Sequence, residues 1–290
     1  MRLRLKMARQ FERVYPSCTK CYIRRASREH FSICELPHLS EPTLIKLFRG
    51  EPPKSLTSAS VASLTSEYTT SGKSVWNLES IKKALLAYSS SKCAYCEESL
   101  DIASNYMEVE HFYPKVPHSH LVVEWKNLLP ACKRCNTSKG KYDPATDGMI
   151  VNPADVYPQK HLYFSELTLR YRDDIGERTI RACNLNRTDR LFRVRSDLHA
   201  AMHHSLERTR SDMKTYLAGN TSYENEQKIV RSVASLLKSA DPKKPYAAFL
   251  ASSLLSDPTY IWIKESLQGS GLWEPLDKLE QSAKSVQLAR

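Results

Sequence analysis

The feature that most constrains this chain is a pair of Cys-x-x-Cys turns, Cys93 with Cys96 and Cys132 with Cys135, with 35 residues between them. A two-residue spacer lets a tight turn direct two sulfur atoms to one point, and two such turns complete the tetrahedral shell that zinc prefers. The alternative is two unrelated pairs of buried thiols. Four cysteine ligands leave no open position, so the predicted zinc ion is structural and any chemistry lies elsewhere. The intervening segment has few large aliphatic residues, so zinc would supply much of its folding free energy.

The other cysteines form no comparable pattern. Cys183 lies in an apolar helical stretch and is predicted to be a core thiol. Disulfides are not expected, because a reducing compartment is the default for this chain. Near the N-terminus, a second metal site is the weaker alternative to buried thiols, and it would use Cys18, Cys21, Cys34 and either His30 or His38.

The charge of the chain favours an anionic partner. The 290 residues include 43 basic and 32 acidic side chains, which gives a formal net charge of +11. A balance of this sign most often accompanies nucleic-acid binding. The charge is uneven, since residues 1–43 contain nine basic and four acidic residues and so contribute +5.

A membrane partner is not predicted. The best apolar run, residues 247–255, is much shorter than the roughly 18 residues that a membrane span requires, and serines interrupt it. The N-terminal MRLRLKMARQ is basic but lacks the apolar stretch of a signal peptide. We therefore expect a cytoplasmic protein.

Helical patterns dominate outside the cysteine pairs, and 8 glycines against 15 prolines disfavour a turn-rich β fold. The spacing of Leu78, Ile81 and Leu85 predicts a short amphipathic helix that leads into the first cysteine pair. Residues 57–74, rich in serine and threonine, are predicted to be a weak helix or a loop. Prolines make residues 143–158 an extended connector, and helical spacing follows at 179–211, 224–238 and 244–254.

Polar residues of a second motif are interleaved with the cysteines, in EVEHFYPK at 108–115 and WKNLLPACKRCNTSKGK at 125–141. Glu110 and His111 end a predicted strand, Asn127 opens the next apolar segment, and Asn136 follows the last cysteine. This order resembles the HNH nuclease superfamily of the zinc-knuckle ββα-metal type, the His-Me finger. The resemblance implies a hairpin and a helix that grip one divalent cation, inside a mostly helical α+β protein.

The chemistry of phosphodiester hydrolysis fits these residues, because it needs a base for water and relief of phosphate charge. A histidine is partly neutral at pH 7, so His111 is the predicted general base. Hard Mg²⁺ or Mn²⁺ prefers oxygen ligands, which Glu110 and Asn136 supply. The resemblance implies that Asn127 braces the loop carrying the base. Lys139, one helical turn after Asn136, is predicted to hold a phosphate.

Several neighbouring residues have less specific signals. Glu108 shares a strand face with Glu110 and is either an extra ligand or, as we favour, a solvated carboxylate. His118 and His120 lie in a proline-bounded loop and are predicted to be exposed. A short basic run could contact phosphate or be a solvated face, and it comprises Lys133, Arg134, Lys139 and Lys141.

Looser similarity extends beyond this motif. LIKLFRGEPPKSL, from Leu44, and TIRACNLNRTDRLFRVR, at 179–195, are similar to segments of the HNH subunits of Septu-type and retron-associated bacterial anti-phage systems. Such subunits work with an ATPase of the ABC/SMC type, and in retron systems with a reverse transcriptase and its RNA/DNA product. The predicted division is a basic extension at 1–43 that lies outside the resemblance, a helical segment at 44–92, the nuclease core at 93–142, and a helical region at 143–290 that docks partners.

The predicted function is therefore metal-dependent cleavage of nucleic acid, with DNA favoured, by the effector nuclease of a defence system. RNA, including tRNA, is the nearest alternative substrate. A stand-alone restriction-type HNH enzyme is a further alternative. A zinc-knuckle module that binds nucleic acid without catalysis is disfavoured, because binding alone needs none of Glu110, His111, Asn127 and Asn136.

Overall fold

A computed structural model describes residues 47–100 and 107–289 of the chain. Within this part the protein is mostly helical, with two small antiparallel sheets, which confirms the predicted α+β class. The helices are α1 (Ser58–Ser71), α2 (Glu79–Ser89), α3 (Lys133–Lys139), α4 (Asp174–Ala182), α5 (Arg193–Leu217), α6 (Tyr223–Ser239), α7 (Ala247–Leu255), α8 (Pro258–Gly269) and α9 (Asp277–Lys284). The strands are β1 (Met107–His111), β2 (Leu128–Cys132), β3 (Leu162–Ser165) and β4 (Thr168–Tyr171).

The hairpin of β1 and β2 carries the motif that the sequence singled out. The strands pair antiparallel, with Met107 opposite Cys132 and His111 opposite Leu128. Every residue of β2 is buried, as expected for the apolar run LLPAC. Helix α3 follows β2 directly, and the Cys132 sulfur accepts a hydrogen bond from the Cys135 N–H at its start. One strand–helix junction therefore places two predicted zinc ligands and a predicted metal ligand within a few residues.

An apolar cluster supports this hairpin from the N-terminal side. The fully buried Ile81 and Leu85 of α2 pack with Val109 of β1, Val122 and Leu128. Their spacing is the amphipathic pattern that predicted a helix after Leu78, and the helix is confirmed. Burial of such aliphatic side chains contributes about 1.5–3 kcal/mol each.

The helices that follow the hairpins pack around a second apolar cluster. Fully buried members come from α5 through α8 and include Met213, Ile229, Val233 and Ile263. No helix among the described residues is long and apolar enough to cross a membrane.

Some predicted elements are confirmed and others differ. Of the two alternatives for residues 57–74, the structure has the helix, α1, which Thr57 caps and which buries none of its own residues. The predicted helix at 179–211 is interrupted after Ala182, and a π-helical turn at Thr188–Phe192 precedes α5. The hairpin of β3 and β4 was not predicted, because its strands have only four residues each. The N-terminal extension at 1–43, with its possible second metal site, lies outside the described residues.

Candidate active site and zinc site

The four predicted zinc ligands meet in the interior. Their sulfur atoms all lie within 4.8 Å of one another, and all four residues are buried. A tetrahedral site with Zn–S bonds of about 2.3 Å separates its sulfur atoms by about 3.8 Å. The Cys96 and Cys132 sulfurs are 3.8 Å apart, which is the spacing of two ligands of one zinc ion. Cys183 is a buried free thiol outside this group, as predicted.

The cluster has a positively charged neighbour that the sequence did not indicate. Nη2 of Arg187 donates to Sγ of Cys135 over 3.7 Å, although 52 residues separate the two. A zinc ion bound by four thiolates carries net negative charge, and an arginine beside it offsets that charge. Such long-range contacts have no local signal in the sequence.

His111 is held in one orientation by a main-chain contact that determines its tautomer. Its Nε2 lies 2.8 Å from the carbonyl oxygen of Val122, and a carbonyl only accepts, so Nε2 carries the proton. The lone pair of the neutral ring is therefore on Nδ1, which is buried and has no hydrogen-bond partner among the described residues. Burial, and then the positive charge of Lys115, lower the pKa of His111 to about 3. The ring is neutral at pH 7, with its free lone pair on Nδ1.

Asn127 ties together both ends of the loop around His111. Its Oδ1 accepts from the Tyr113 N–H at 2.8 Å, while its Nδ2 donates to the carbonyls of Tyr113 and Leu121, each at 3.1 Å. Leu121 directly precedes Val122, the residue that orients His111. Asn127 thus bonds the residue next to Val122, whose carbonyl selects the tautomer of His111.

Glu110 points to the other side of β1 from His111, because successive strand residues alternate. Its Oε1 lies 2.7 Å from Nζ of Lys139, and both side chains are almost fully buried. Burial raises the pKa of Glu110, and the Lys139 ammonium opposes that rise. Nζ of Lys139 also donates to the carbonyl of His111 at 2.9 Å. Since the Lys139 side chain is 0% exposed, the phosphate contact predicted for it does not fit this position.

Asn136 sits one turn earlier on α3 and faces the same strand. Its Nδ2 donates to Oε2 of Glu108 over 2.7 Å, so the amide oxygen is left to act as a ligand. Glu108 is therefore engaged with α3 through one oxygen, and its side chain is half-buried rather than fully solvated as predicted. Two carboxylates of β1 thus face α3, one beside Asn136 and one beside Lys139.

Two further residues lie over His111 and were not predicted. The indole of Trp76 packs edge-on against His111, with ring centroids 5.0 Å apart. Nζ of Lys115 lies 4.6 Å from the centroid of the Trp76 ring. The lysine belongs to the EHFYPK segment, but Trp76 precedes α2 and reaches His111 only through the tertiary fold.

The loop histidines differ from each other. His118 is only partly exposed, and its Nε2 lies 2.8 Å from Oδ2 of Asp143, so the prediction of an exposed loop residue is wrong for it. His120 is exposed, as predicted. Of the basic run, Lys133, Arg134 and Lys141 are exposed, whereas Lys139 is buried.

The family to which residues 93–142 are assigned agrees with this geometry. The family model "HNH endonuclease" matches residues 93–142, which span both cysteine pairs, the hairpin and α3. The class of the protein is therefore an HNH endonuclease.

Curated relatives define the family more narrowly. The Septu protein PtuB of Bacillus thuringiensis is 36% identical over 231 residues, covering 79% of this chain and 89% of that protein. The Septu protein PtuB of Bacillus mycoides strain KBAB4 is 26% identical over 222 residues, covering 62% of this chain and 74% of that protein. The chain belongs to the Septu PtuB family. No solved structure matches it significantly.

Proposed function

We propose that the chain hydrolyses phosphodiester bonds of nucleic acid, with DNA the favoured substrate and His111 the general base. The observation that carries this proposal is the hydrogen bond from Nε2 of His111 to the carbonyl of Val122. It fixes the tautomer that leaves the Nδ1 lone pair available to a water molecule. Asn127 maintains that arrangement by bonding to the loop at Leu121 and Tyr113. Opening of the Trp76 edge contact would give substrate and water access to Nδ1.

The donor set at the same strand end as the proposed base, on the side of β1 that faces α3, is suited to a hard divalent cation such as Mg²⁺ or Mn²⁺. Glu110 offers a carboxylate and Asn136 an amide oxygen, and both face the same strand–helix groove. Glu108 orients Asn136 by accepting from its Nδ2. A cation held there would neutralise charge on the scissile phosphate and on the leaving oxygen.

Lys139 takes a positioning role in this proposal. Its ammonium neutralises Glu110 and binds the main-chain carbonyl of His111, so it joins α3 to the end of β1. Both residues of the Glu110–His111 pair are then held by one side chain. This role replaces the direct phosphate contact expected from the sequence.

The cleavage is proposed to serve anti-phage defence, since the relatives in two Bacillus species are Septu proteins. An ATPase of the ABC/SMC type would be the partner that controls the nuclease, with the helices after residue 143 as its docking surface. A reverse transcriptase partner has no support in the relatives. Co-purification of the full chain with an ATPase encoded beside its gene tests the partnership, and separate elution of the two proteins would contradict it.

Cleavage itself is tested with the full chain, DNA and RNA panels, and Mg²⁺, with and without that ATPase. We expect DNA cleavage, and His111→Ala should reduce its rate by about 10²–10⁴-fold, because the general base is lost. His120→Ala removes an exposed imidazole from the same loop and should retain the rate. Zinc content should match in all three proteins.

The outcomes discriminate between the alternatives. Cleavage of RNA alone would assign the other substrate. Cleavage that survives His111→Ala would contradict the assignment of the base. Nucleic-acid binding without cleavage in any metal would favour the zinc-knuckle binding module.

A further inference from the structure

A second polar cleft lies on the far side of α3 from Glu110. It has a volume of about 800 Å³ and runs between the outer face of the helix and the turn that leads into α5. The polar side chains that line it include Lys133, Arg134, Thr137, Ser138, Arg187 and Thr188. None of the residues proposed for catalysis lines this cleft.

The two sides of α3 have different partners. Cys135, Asn136 and Lys139 face inward to the zinc ligands and to β1. Lys133, Arg134, Thr137 and Ser138 are exposed, as the helical repeat requires. One seven-residue helix therefore separates the candidate metal site from a basic, hydroxyl-rich surface.

Arg187 forms the floor of the cleft and is incompletely paired. It is only 8% exposed, and Nη2 is the guanidinium nitrogen directed at Cys135. Its Nε and Nη1 are buried without a hydrogen-bond partner among the described residues. Leaving buried donors unsatisfied is unfavourable, so an acceptor that reaches them would stabilise this arginine. The contact expected is a single one, from Nη1 to a phosphate oxygen, because both bidentate forks of a guanidinium include Nη2, which is directed at Cys135.

The charge of the cleft agrees with an anionic ligand. Lys133 and Arg134 contribute two positive charges at the rim against the single carboxylate of Asp189, and the charge of Arg187 is shared with the thiolate of Cys135. The Lys133 and Arg134 side chains at the rim are exposed, and the hydroxyl groups of Thr137 and Ser138 line the same cleft. Phosphate groups of nucleic acids are bound by this combination of arginine, lysine and hydroxyl donors.

We propose that this cleft binds a backbone phosphate of the nucleic-acid strand, with Arg187 at its floor and Lys133 and Arg134 at its rim. The inference rests on the proposed nuclease function, because it assigns a second contact for the same substrate. A strand held there would lie against α3, the helix whose inner face carries Asn136. The cleft would thus set the position of the strand, while the groove between α3 and β1 performs the reaction.

The test measures binding of fluorescent DNA to the full-length His111→Ala protein at several salt concentrations. Adding Lys133→Ala and Arg134→Ala should weaken binding about tenfold or more and lower the slope of log affinity against log salt by about 2, one per lost contact. A matched control removes two adjacent exposed or half-exposed lysines of α2, Lys82→Ala with Lys83→Ala, and should leave affinity and slope unchanged. Zinc content should be equal in all proteins.

Arg187 is tested separately, because it also contacts a zinc ligand. Arg187→Gln should weaken binding while zinc content is retained. Unchanged affinity and slope in the Lys133 and Arg134 double variant would overturn the proposal. Displacement of the DNA by millimolar inorganic phosphate alone would also overturn it, because that result would assign a site for free phosphate. Failure of wild-type protein to cleave, with binding still lost in the double variant, would contradict the nuclease function and not the cleft.

Discussion

At the residue scale, strand alternation decides how the site is divided. Glu110 and His111 are neighbours in sequence, yet they face opposite sides of β1. One side holds the imidazole against the carbonyl of Val122, and the other holds the carboxylate against Lys139. The proposed base and a candidate metal ligand are thereby placed at the same strand end, on opposite sides of the strand.

Lys139 is predicted to be essential for stability. Lys139→Met leaves Glu110 buried without its counter-charge, which should lower the free energy of unfolding by about 3–5 kcal/mol. The double variant Glu110→Gln with Lys139→Met has no uncompensated buried charge. Its loss of unfolding free energy should therefore be clearly smaller than that of Lys139→Met alone. Chemical denaturation of the three proteins measures both values, and an unaltered midpoint in Lys139→Met would contradict the buried pair.

At the scale of elements, α3 joins the zinc site to the candidate catalytic groove. Cys135 near its first turn belongs to the sulfur cluster, and Asn136 and Lys139 face β1. Because the helix is only seven residues long, its own hydrogen bonds give little stability. Its position depends on the zinc ion at one end and on the buried Lys139 at the other.

Loss of one sulfur ligand should therefore disrupt α3. We expect Cys132→Ser to lower zinc content far below one ion per chain and to reduce the melting temperature, because zinc contributes folding free energy. Cys183→Ala removes an equally buried thiol from outside the cluster and should retain zinc. Elemental analysis and thermal melting compare the two, and full zinc content in Cys132→Ser would exclude the assigned site.

Two other elements are joined by a buried carboxylate, Glu280 of α9. It accepts from the hydroxyl of Tyr260 at 3.1 Å and pairs with Lys264 and Lys284 at 2.6 and 2.8 Å. Burial raises the pKa of Glu280, but the two lysines outweigh that effect and the net pKa is lowered. A lowered folded pKa means that the stabilisation is present above the unfolded value of about 4.5 and is lost as the pH falls through the folded value.

Glu280→Gln should accordingly destabilise the protein by about 2 kcal/mol at pH 7, and the difference from wild type should shrink below pH 4.5. Glu79→Gln breaks an exposed pair with Lys83 and should change stability by less than about 0.5 kcal/mol. Denaturation curves at pH 7 and pH 4 measure the effect. A difference independent of pH would show that the charge of Glu280 is not its source.

At the scale of the whole molecule, the first cysteine turn is attached to the C-terminal helices. Oε1 of Glu97 lies 2.8 Å from Nζ of Lys92, and its Oε2 accepts from the N–H of Ala248 at 2.9 Å. The N–H of Tyr246 donates to the main-chain carbonyl of Glu97. Arg190 forms an ion pair with the adjacent Glu98. The zinc knuckle and the helical region should therefore unfold together.

Glu97→Ala tests this coupling. It leaves Lys92 buried and unpaired, so we expect a loss of about 3–5 kcal/mol together with weaker zinc retention, although Glu97 is not a zinc ligand. Glu67→Ala breaks the exposed pair with Lys73 and should alter neither property. Melting curves with zinc release monitored in parallel provide the measurement. Early zinc release, followed by a separate unfolding of the helices in wild type, would contradict cooperative folding.

Short-range patterns in the sequence determined much of this protein. The two cysteine turns predicted a sulfur cluster, which succeeds because spacing within a turn sets side-chain direction locally. The order of Glu110, His111, Asn127 and Asn136 carried the resemblance to the HNH superfamily, and that resemblance implied the hairpin, the helix and the class of enzyme.

Only the tertiary structure decided the remaining contacts. It turned Lys139 inward to Glu110, brought Trp76 over His111, and placed Arg187 beside Cys135 across 52 residues. A helical repeat gives the relative directions of side chains but not which direction is buried. That choice depends on what packs against the helix, and the partners lie far away along the chain.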